Sequence, residues 1–531
     1  MAGVGQREAS GQGRKLELAE ATHAGEAYDG ESPVVAVKHI SLTRLIFACM
    51  VTGGVQYGWA LQLSLLTPYV QTLGLSHALS SIVWLCGPVA GFVVQPIIGL
   101  WSDRCQSRFG RRRPFIFVGC ILISIAVIVL GFSSDIGRAL GDTKEHCSVY
   151  NGPRWHAAVV YCLGFWLLDF SNNTVQGPTR ALMADLSSHH GPNTANAIFA
   201  SWMAAGNILG YLSGSSGSWH KWFPFLVTNA CCEACANLKG AFLVAVVGPD
   251  PFVLLFITLT ATLFIAKEVC LCDLNKSASV DQQKTSFFDV FRAFKNLPPG
   301  MPSVLLVTAL TWLSWFPFTL YNTDWMGREI YYGKPKGTSE QIDVYDRGVR
   351  EGALGLLLNS VVLGISSFLI APMCRKLSVK VVWAISNFTL FVSMAAICII
   401  SVWSSKEFHS SAQSRLTADP MIRIVALAVF TILGFPLAVV YSIPFAVTAQ
   451  LTANAEGGQG LCVGVLNVSI VIPQVIVALG AGPWDALFGK GNMPAFALAS
   501  AIAFVCSIVV LFVLPRLSKS NYKTSGVSGG H

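Results

Sequence analysis

The sequence predicts an all-α polytopic membrane protein with twelve transmembrane helices arranged as two halves of six. Its 531 residues are 53% hydrophobic and only 12% charged, with a mean hydropathy of +0.56. Soluble domains carry roughly 25% charged residues, so an ordinary soluble protein is excluded. Twelve apolar runs approach or exceed the ~20 residues that a helix needs to cross a bilayer. A long polar connection separates the sixth run from the seventh and so divides the chain.

The predicted spans are 42–72, 79–101, 114–133, 156–184, 195–217, 251–267, 302–330, 352–373, 379–403, 421–451, 458–482 and 492–514. Helices are expected because such runs satisfy their own backbone hydrogen bonds, whereas barrel strands would alternate over about ten residues. The predicted parts are a cytoplasmic tail 1–41, a six-helix bundle 42–267, a cytoplasmic loop 268–301, a second bundle 302–514 and a tail 515–531.

The sixth span is the least regular, because Gly248-Pro249-Asp250-Pro251 interrupts its apolar run. Proline removes a backbone donor and clashes with the preceding turn. Two alternatives stay open at this point. The helix begins at Pro251 with 242–247 at the outer interface, or it is continuous and broken.

Lysine and arginine set the orientation, since they accumulate in cytoplasmic loops. They are more numerous in the segments that lie inside when both termini are cytoplasmic. Two six-span halves that each end on the cytoplasmic side can be related only by an axis along the membrane normal. This is the major facilitator architecture of parallel repeats.

The loop between the second and third spans carries a motif with charges at fixed places. Asp103 and Arg104 follow Gly99, and Arg111 and Arg112 follow Gly110. The pattern resembles the major facilitator loop motif, although its spacing is longer than the usual compact form. Asp103 would pair with a neighbouring helix and hold a cytoplasmic gate. The alternative is a basic loop that binds anionic lipid.

The fourth span has the richest set of polar residues. Asp169, Asn173, Gln176 and Arg180 are spaced four, three and four, which places them on one helix face, with Asn172 adjacent. A charge at the bilayer centre costs roughly 2.5–3.5 kcal/mol, so it needs a partner or a function. We interpret the stripe as lining a cavity for a hydroxyl-rich solute. The alternative is helix–helix association through the amides.

Two charges on that span receive separate interpretations. Asp169 lies near mid-depth, where a carboxyl can gain and lose a proton in use, so it is the predicted proton carrier. Arg180 is about 16 Å further along the helix. It is either a partner on the cytoplasmic side or a side chain that extends to the inner interface.

The seventh span ends with Asp324, Arg328 and Glu329, of which the first two are spaced i, i+4. They can form an ion pair near the outer end that acts as a gate. The alternative is a surface pair of little energetic weight. On the first span, Trp59 and Gln62 are predicted sugar contacts through ring stacking and amide hydrogen bonds, with simple packing as the alternative.

The predicted outer loops contain Cys147, Cys231, Cys232 and Cys235. Four thiols in an oxidising compartment allow three pairings, and the sequence leaves the choice open. A disulfide that braces the loop after the fifth span is the hypothesis.

From about residue 40 to 515 the chain resembles the plant sucrose–proton symporters, a branch of the major facilitator superfamily. The stretches that carry the resemblance are Gly54–Gln71, Trp84–Pro88, Ser102–Pro114, Asp169–Arg180 and Thr323–Glu329. The resemblance implies sucrose uptake with one proton. The predicted location is the plasma membrane, in the context of phloem loading, and the vacuolar membrane is the alternative. The residues show no metal-ligand spacing, phosphate loop or hydrolase elbow, so we expect no cofactor, metal, nucleic acid or enzymatic activity.

Residue by residue, Asp169 resembles the family's protonatable acid. Arg180, Asp324, Arg328 and Glu329 resemble its other membrane charges, and His77 is similar to a histidine near the sugar path. Asn322 stands where many members have an acid, so we expect no proton site there. A sugar sensor without transport and an uncoupled sugar facilitator are the alternative functions.

Overall fold

The computed structural model describes residues 41–75, 83–147, 149, 152–186, 192–246, 259, 262, 297–410, 418–451, 459–489 and 491–515. Within these ranges nearly all regular structure is helical, as the sequence predicts, with one isolated bridge between Thr228 and Cys231.

The first half contains α1 (Leu42–Ala48), α2 (Val51–Thr72), α3 (Cys86–Val89), a π-helical turn (Ala90–Val94), α4 (Gln95–Arg104), α5 (Arg113–Gly131), α6 (Ser133–Ala139), α7 (Trp155–Leu186), α8 (Pro192–Ser216), α9 (Trp219–Trp222), a 3-10 turn (Pro224–Leu226) and α10 (Glu233–Val246). The second half contains α11 (Met301–Trp325), a π-helical turn (Met326–Ile330), α12 (Ser339–Leu377), α13 (Val379–Ser410), α14 (Pro420–Ile432), α15 (Gly434–Leu451), α16 (Gln459–Phe488) and α17 (Met493–Val513).

Local sequence explains where several helices begin. Thr338 and Gln341 form a capping box at the start of α12, in which each side chain bonds the other residue's backbone N–H. Asp419 caps α14 by accepting from the Met421 amide at 2.8 Å, and Pro420 occupies the first helical position. These caps satisfy amides that have no partner inside the helix.

One predicted boundary is wrong, and the start of the sixth span lies outside the described residues. The described helix nearest the sixth span is α10, which starts at Glu233, and Phe242 is 1% exposed in the core instead of lying at an interface. Residues 247–258 lie outside the described residues, so the effect of the proline pair stays untested. The eighth helix starts at Ser339, well before the predicted 352, because the capping box extends it through a segment rich in charges.

Small residues let α2 and α8 pack closely in the first half. Gly206, Gly210 and Gly214 recur every four residues along α8. A Cβ added at Gly206 would lie 2.3 Å from the Gly53 carbonyl oxygen, and one at Gly210 would lie 2.7 Å from the Tyr57 carbonyl oxygen. Close backbone contact through such stripes is typical of membrane helices.

The exterior of the bundle is apolar. On α5 the exposed residues include Phe117, Ile121, Ile125 and Ile128, which recur at helical spacing. Seven described helical segments are long and apolar enough to cross a membrane: Arg113–Gly131, Met301–Ile330, Ser339–Ile370, Val379–His409, Pro420–Thr448, Val465–Phe488 and Met493–Val513. α2, α7 and α8 reach similar lengths but are more polar. The chain is therefore a multi-pass membrane protein.

One end of the bundle carries two disulfides, Cys147–Cys232 and Cys231–Cys235, and we call it the disulfide end. The first disulfide joins the segment after α6 to the segment before α10, which braces the loop after α8 as hypothesised. The opposite end, where α2 begins and α17 ends, is called the tail end. The two halves pack together through α2 on α11, α8 on α12 and α3 on α16.

Candidate functional site

Helix α7 holds an acid deep within the first half. Asp169 lies about 21 Å from the start of α7 and about 26 Å from its end, at a rise of 1.5 Å per residue. Its side chain is only 5% exposed. A carboxylate at this depth is costly unless it is paired, hydrogen-bonded or neutralised.

The two carboxyl oxygens of Asp169 have different surroundings. Trp59 of α2 donates its indole N–H to Oδ1 at 3.1 Å. The other oxygen, Oδ2, has no hydrogen-bond partner among the residues that the structure describes. It faces Gly87 of α3, where an added Cβ would lie 3.6 Å away. The acid therefore joins three helices of one half and keeps one oxygen available for a proton.

The middle of the polar stripe is used for packing inside the first half. Gln95 of α4 donates to the amide oxygens of Asn173 and Gln176, at 2.7 and 2.9 Å. Asn173 is 3% exposed and also donates to the Asp169 carbonyl oxygen at 2.8 Å. This corrects the expectation that the whole stripe lines water. Amides that satisfy one another between helices are stable without solvent.

Arg180 ends the stripe and lies between the halves. Its guanidinium sits 4.8 Å above the ring of Phe199 on α8, a cation–π contact, and it lies near Tyr441 of α15. The residue is nevertheless exposed. An arginine that is enclosed by helices of both halves and still accessible lines a crevice, and this placement favours the partner interpretation over extension to the interface.

The second charged cluster is built around Asp324, which is fully buried. Arg328 donates from Nε at 2.9 Å, so the predicted ion pair is present. Tyr345 donates from its hydroxyl to Oδ1 at 2.6 Å, and Asn492 donates from Nδ2 to Oδ2 at 3.0 Å. Three donors from α12, the π-helical turn and the start of α17 thus compensate the buried charge, which excludes a weak surface pair.

Glu329 belongs to the same region. One of its carboxyl oxygens accepts from the backbone N–H of Asn492 at 2.7 Å. Asn492 therefore bonds both acids, and side chains tie together α11 with its π-helical turn, α12 and the start of α17. Asn322, which replaces an acid, donates to the Phe318 carbonyl oxygen and is 2% exposed.

Several contacts near the disulfide end cross from one half to the other. Thr67 donates to the Leu320 carbonyl oxygen at 2.7 Å, and Thr323 donates to the Ser64 carbonyl oxygen at 2.7 Å. The Arg328 guanidinium also donates to the side chain of Gln71 at the end of α2. These hydrogen bonds hold α2 against α11, so the halves are closed at this end.

A loop contact adds to the closure. Lys336 donates to the Gly152 carbonyl oxygen at 3.3 Å. Burial, together with the nearby Arg154, lowers the pKa of Lys336 below its usual range.

The remaining predicted residues are scattered. Gln62 is 3% exposed, and Asn172 is fully buried with no hydrogen-bond partner for its side chain in the described part of the chain. His77 lies outside the described residues. Asp103 and Arg104 form the end of α4, and their side chains are not among those described. Arg111 lies in the turn that follows.

The contacts of Arg112 show whether this residue of the basic loop is available to bind lipid. It is 5% exposed and donates to the hydroxyl of Ser102 at 2.5 Å. A buried guanidinium that bonds the end of α4 is a structural contact within the loop, so Arg112 does not act as a lipid anchor.

Sequence reasoning missed Gln95, Tyr345 and Asn492. Gln95 is the one amide in its predicted span, which was an available signal. Tyr345 falls in a segment that was predicted to be a loop, and Asn492 opens an apolar run. Nothing local distinguishes the last two from ordinary helix residues.

Comparison with known proteins identifies the family. The family model described as Major Facilitator Superfamily matches residues 5–223. The chain is 65% identical over 497 residues to sucrose transport protein SUT1 of Oryza sativa subsp. japonica, covering 93% of this chain and 91% of that protein. It belongs to the sucrose transport protein family. Sucrose transport protein SUC3 of Arabidopsis thaliana is 52% identical, over 97% of this chain and 94% of that relative.

Solved structures support the fold of this family member. The D-xylose-proton symporter matches with a TM-score of 0.58 and 13% identity, over 91% of this chain and all of that one. The nucleoside transporter NupG matches with a TM-score of 0.54 and 12% identity, over 88% of this chain and 97% of that one. At this identity the likeness concerns the fold alone, which is the major facilitator fold of a transporter and not that of an enzyme.

Proposed function

We propose that the chain imports sucrose together with one proton across the plasma membrane by alternating access. The observation that carries this proposal is the identity of 52–65% to proteins named sucrose transport proteins, over more than nine-tenths of both chains. A buried acid beside a crevice between two helical halves is the arrangement that such a transporter requires.

The disulfide end is proposed to face outward. Disulfides persist in oxidising surroundings, and the Cys147–Cys232 link lies at this end. With this orientation both termini are cytoplasmic, in agreement with the distribution of basic residues. The hydrogen bonds of Thr67, Thr323 and Arg328 then close the outer side. If the disulfide end faces outward, this closure corresponds to an inward-facing state.

Asp169 is proposed to carry the proton. Protonation at Oδ2 removes the buried charge while Oδ1 keeps its hydrogen bond from Trp59. Trp59 lies on α2, which also contacts α11 of the other half. The indole therefore links the ionisation of Asp169 to a helix that packs against the other half.

Sugar is proposed to bind between Asp169 and Arg180. Arg180 offers several donors in a fixed plane to hydroxyl oxygens. Gln62 and Asn172 carry side-chain polar atoms that lack partners among the described residues, and the half-exposed Gln176 adds an amide. These groups can donate to and accept from hydroxyls when the bundle opens.

The proton supplies the energy for accumulation. Neutral sugar and one proton move one positive charge inward, which contributes ~2.3 kcal/mol at 100 mV. One pH unit adds ~1.36 kcal/mol. The sum corresponds to several-hundred-fold accumulation, an order-of-magnitude value.

The test is sucrose uptake and sucrose-evoked proton current in proteoliposomes or oocytes with an acidic exterior. We expect Asp169→Asn to abolish proton-driven accumulation. Asp343→Asn is the matched control, because Asp343 is an exposed acid that pairs with an exposed arginine. Accumulation that persists in Asp169→Asn would refute the assignment of the proton site.

The same measurement separates the alternatives. Sucrose uptake without proton current would indicate an uncoupled facilitator. Sucrose binding without uptake or current would indicate a sensor. Either result would overturn the proposed symport.

A further inference from the structure

Two aromatic residues of the second half face the crevice that contains Arg180. Trp312 of α11 and Tyr441 of α15 have ring centroids 6.2 Å apart and an interplanar angle of 49°. Tyr441 is 50% exposed, yet it lies near Arg180 of α7 and Tyr211 of α8. A tyrosine between helices of both halves with half its surface accessible lines the space between them.

Trp312 carries a donor that the protein does not use. The residue is 9% exposed, and its indole N–H has no hydrogen-bond partner in the described part of the chain. Trp315 of the same helix also has an indole N–H without a described partner, but it is 2% exposed and does not pair with Tyr441. Trp84, Trp325 and Trp383 donate to hydroxyl groups at 2.7–3.3 Å. An unsatisfied buried donor costs free energy and calls for an explanation. A ligand acceptor supplies one.

The depth of the pair matches the proposed sugar site. Trp312 lies about 16 Å from the start of α11, and Tyr441 lies about 15 Å from the end of α15. Both ends are at the tail end of the bundle. Measured from the same side, Arg180 lies at about 9 Å and Asp169 at about 26 Å. The pair therefore falls between the two charges.

We propose that Trp312 and Tyr441 form the sugar-stacking subsite of the second half. One face of a pyranose ring is largely apolar C–H surface, which packs on an aromatic face, while the indole N–H donates to a hydroxyl oxygen. Arg180 contacts the same solute from the first half. The inference rests on the proposed function and names the residues through which the second half holds the sugar.

The test compares the KM and maximal rate of sucrose uptake in proteoliposomes, with the Kd of the purified proteins for sucrose. Tyr441→Ala removes the stacking face, and we expect KM and Kd to rise about tenfold. Tyr441→Phe keeps the face and should stay within about twofold. Trp312→Phe keeps a ring but removes the donor, and a rise of about threefold to tenfold is expected.

Phe388→Ala is the control, because Phe388 is an aromatic residue on α13 that is 51% exposed and packs only against Phe391 among the described rings. Its KM should equal that of the wild type. The pH dependence of uptake should be unchanged in every variant, which distinguishes loss of sugar contact from general damage. If Tyr441→Ala fails to reach the membrane, Trp312→Phe and Tyr441→Phe carry the test.

Unchanged KM and Kd in Tyr441→Ala and Trp312→Phe, with wild-type uptake intact, would overturn the subsite and leave the symport untouched. A fall in maximal rate with constant KM would also overturn it. Absence of sucrose uptake and binding in the wild type would overturn the proposed function and the subsite together.

Discussion

The hydrogen bond from Arg328 to Gln71 should control which side of the transporter is open. It joins the end of α2 to the turn after α11 and crosses the halves through a charged donor. Gln71→Leu removes the acceptor while Arg328 keeps its ion pair with Asp324. Gln71→Glu replaces the amide with a carboxylate and strengthens the attraction. The two variants should therefore shift the equilibrium in opposite directions.

The size of the shift follows from burial. A hydrogen bond to a charged group contributes about 1.5–3 kcal/mol. The Arg328 side chain is 28% exposed, so the lower limit applies because solvent screens part of the interaction. A change of ~1.4 kcal/mol is about tenfold in an equilibrium constant. Gln71→Leu should lower the ratio of inward-facing to outward-facing molecules about tenfold.

Distances between spin labels measure this ratio. Leu140→Cys and Glu340→Cys place labels on exposed positions of the two halves at the disulfide end. The long-distance population should grow in Gln71→Leu and shrink in Gln71→Glu. Identical distance distributions in both variants and the wild type would refute the reasoning.

Three other changes test the packing by thermal unfolding of the purified protein. Gly206→Ala forces a Cβ against a backbone oxygen and should lower the melting temperature, whereas Gly58→Ala, which meets open space, should not. Lys239→Met leaves Asp135 without its 2.6 Å ion pair and should lower the free energy of unfolding by about 3 kcal/mol. A melting temperature equal to that of the wild type would contradict this ion pair. Cys147→Ser removes a disulfide that spans 85 residues and should lower the free energy of unfolding by about 2–4 kcal/mol. If peptide mapping by mass spectrometry finds no disulfide-linked peptides in the wild type, the pairing is wrong.

The pairing of the cysteines illustrates a limit of sequence reasoning. Three pairings were open, because four cysteines can be joined into two disulfides in three ways. The turn between Thr228 and Cys231 and the start of α10 bring Cys231 to Cys235, which leaves Cys232 for Cys147. The backbone geometry therefore determines the disulfide pairing, which the spacing of the cysteines in the sequence leaves open.

For the charged residues, the sequence predicts the local ion pair but not the partners from distant helices. Asp324 and Arg328 were predicted to pair from their i, i+4 spacing, and they do. Their donors Tyr345 and Asn492 come from distant helices, so the burial and full compensation of Asp324 could not be inferred. Gln95 likewise comes from another helix, and its hydrogen bonds to Asn173 and Gln176 use the middle of the α7 stripe for packing.

Hydropathy and residue spacing were sufficient for the helical class, the two halves and the depth of Asp169, because water and lipid act on each segment separately and α-helical geometry is local. Tertiary structure was needed for everything that depends on which helices meet. It assigned Trp59 to the acid, Asn492 to two carboxylates, and Trp312 and Tyr441 to the crevice. Such contacts join residues more than a hundred positions apart, and no local pattern records them.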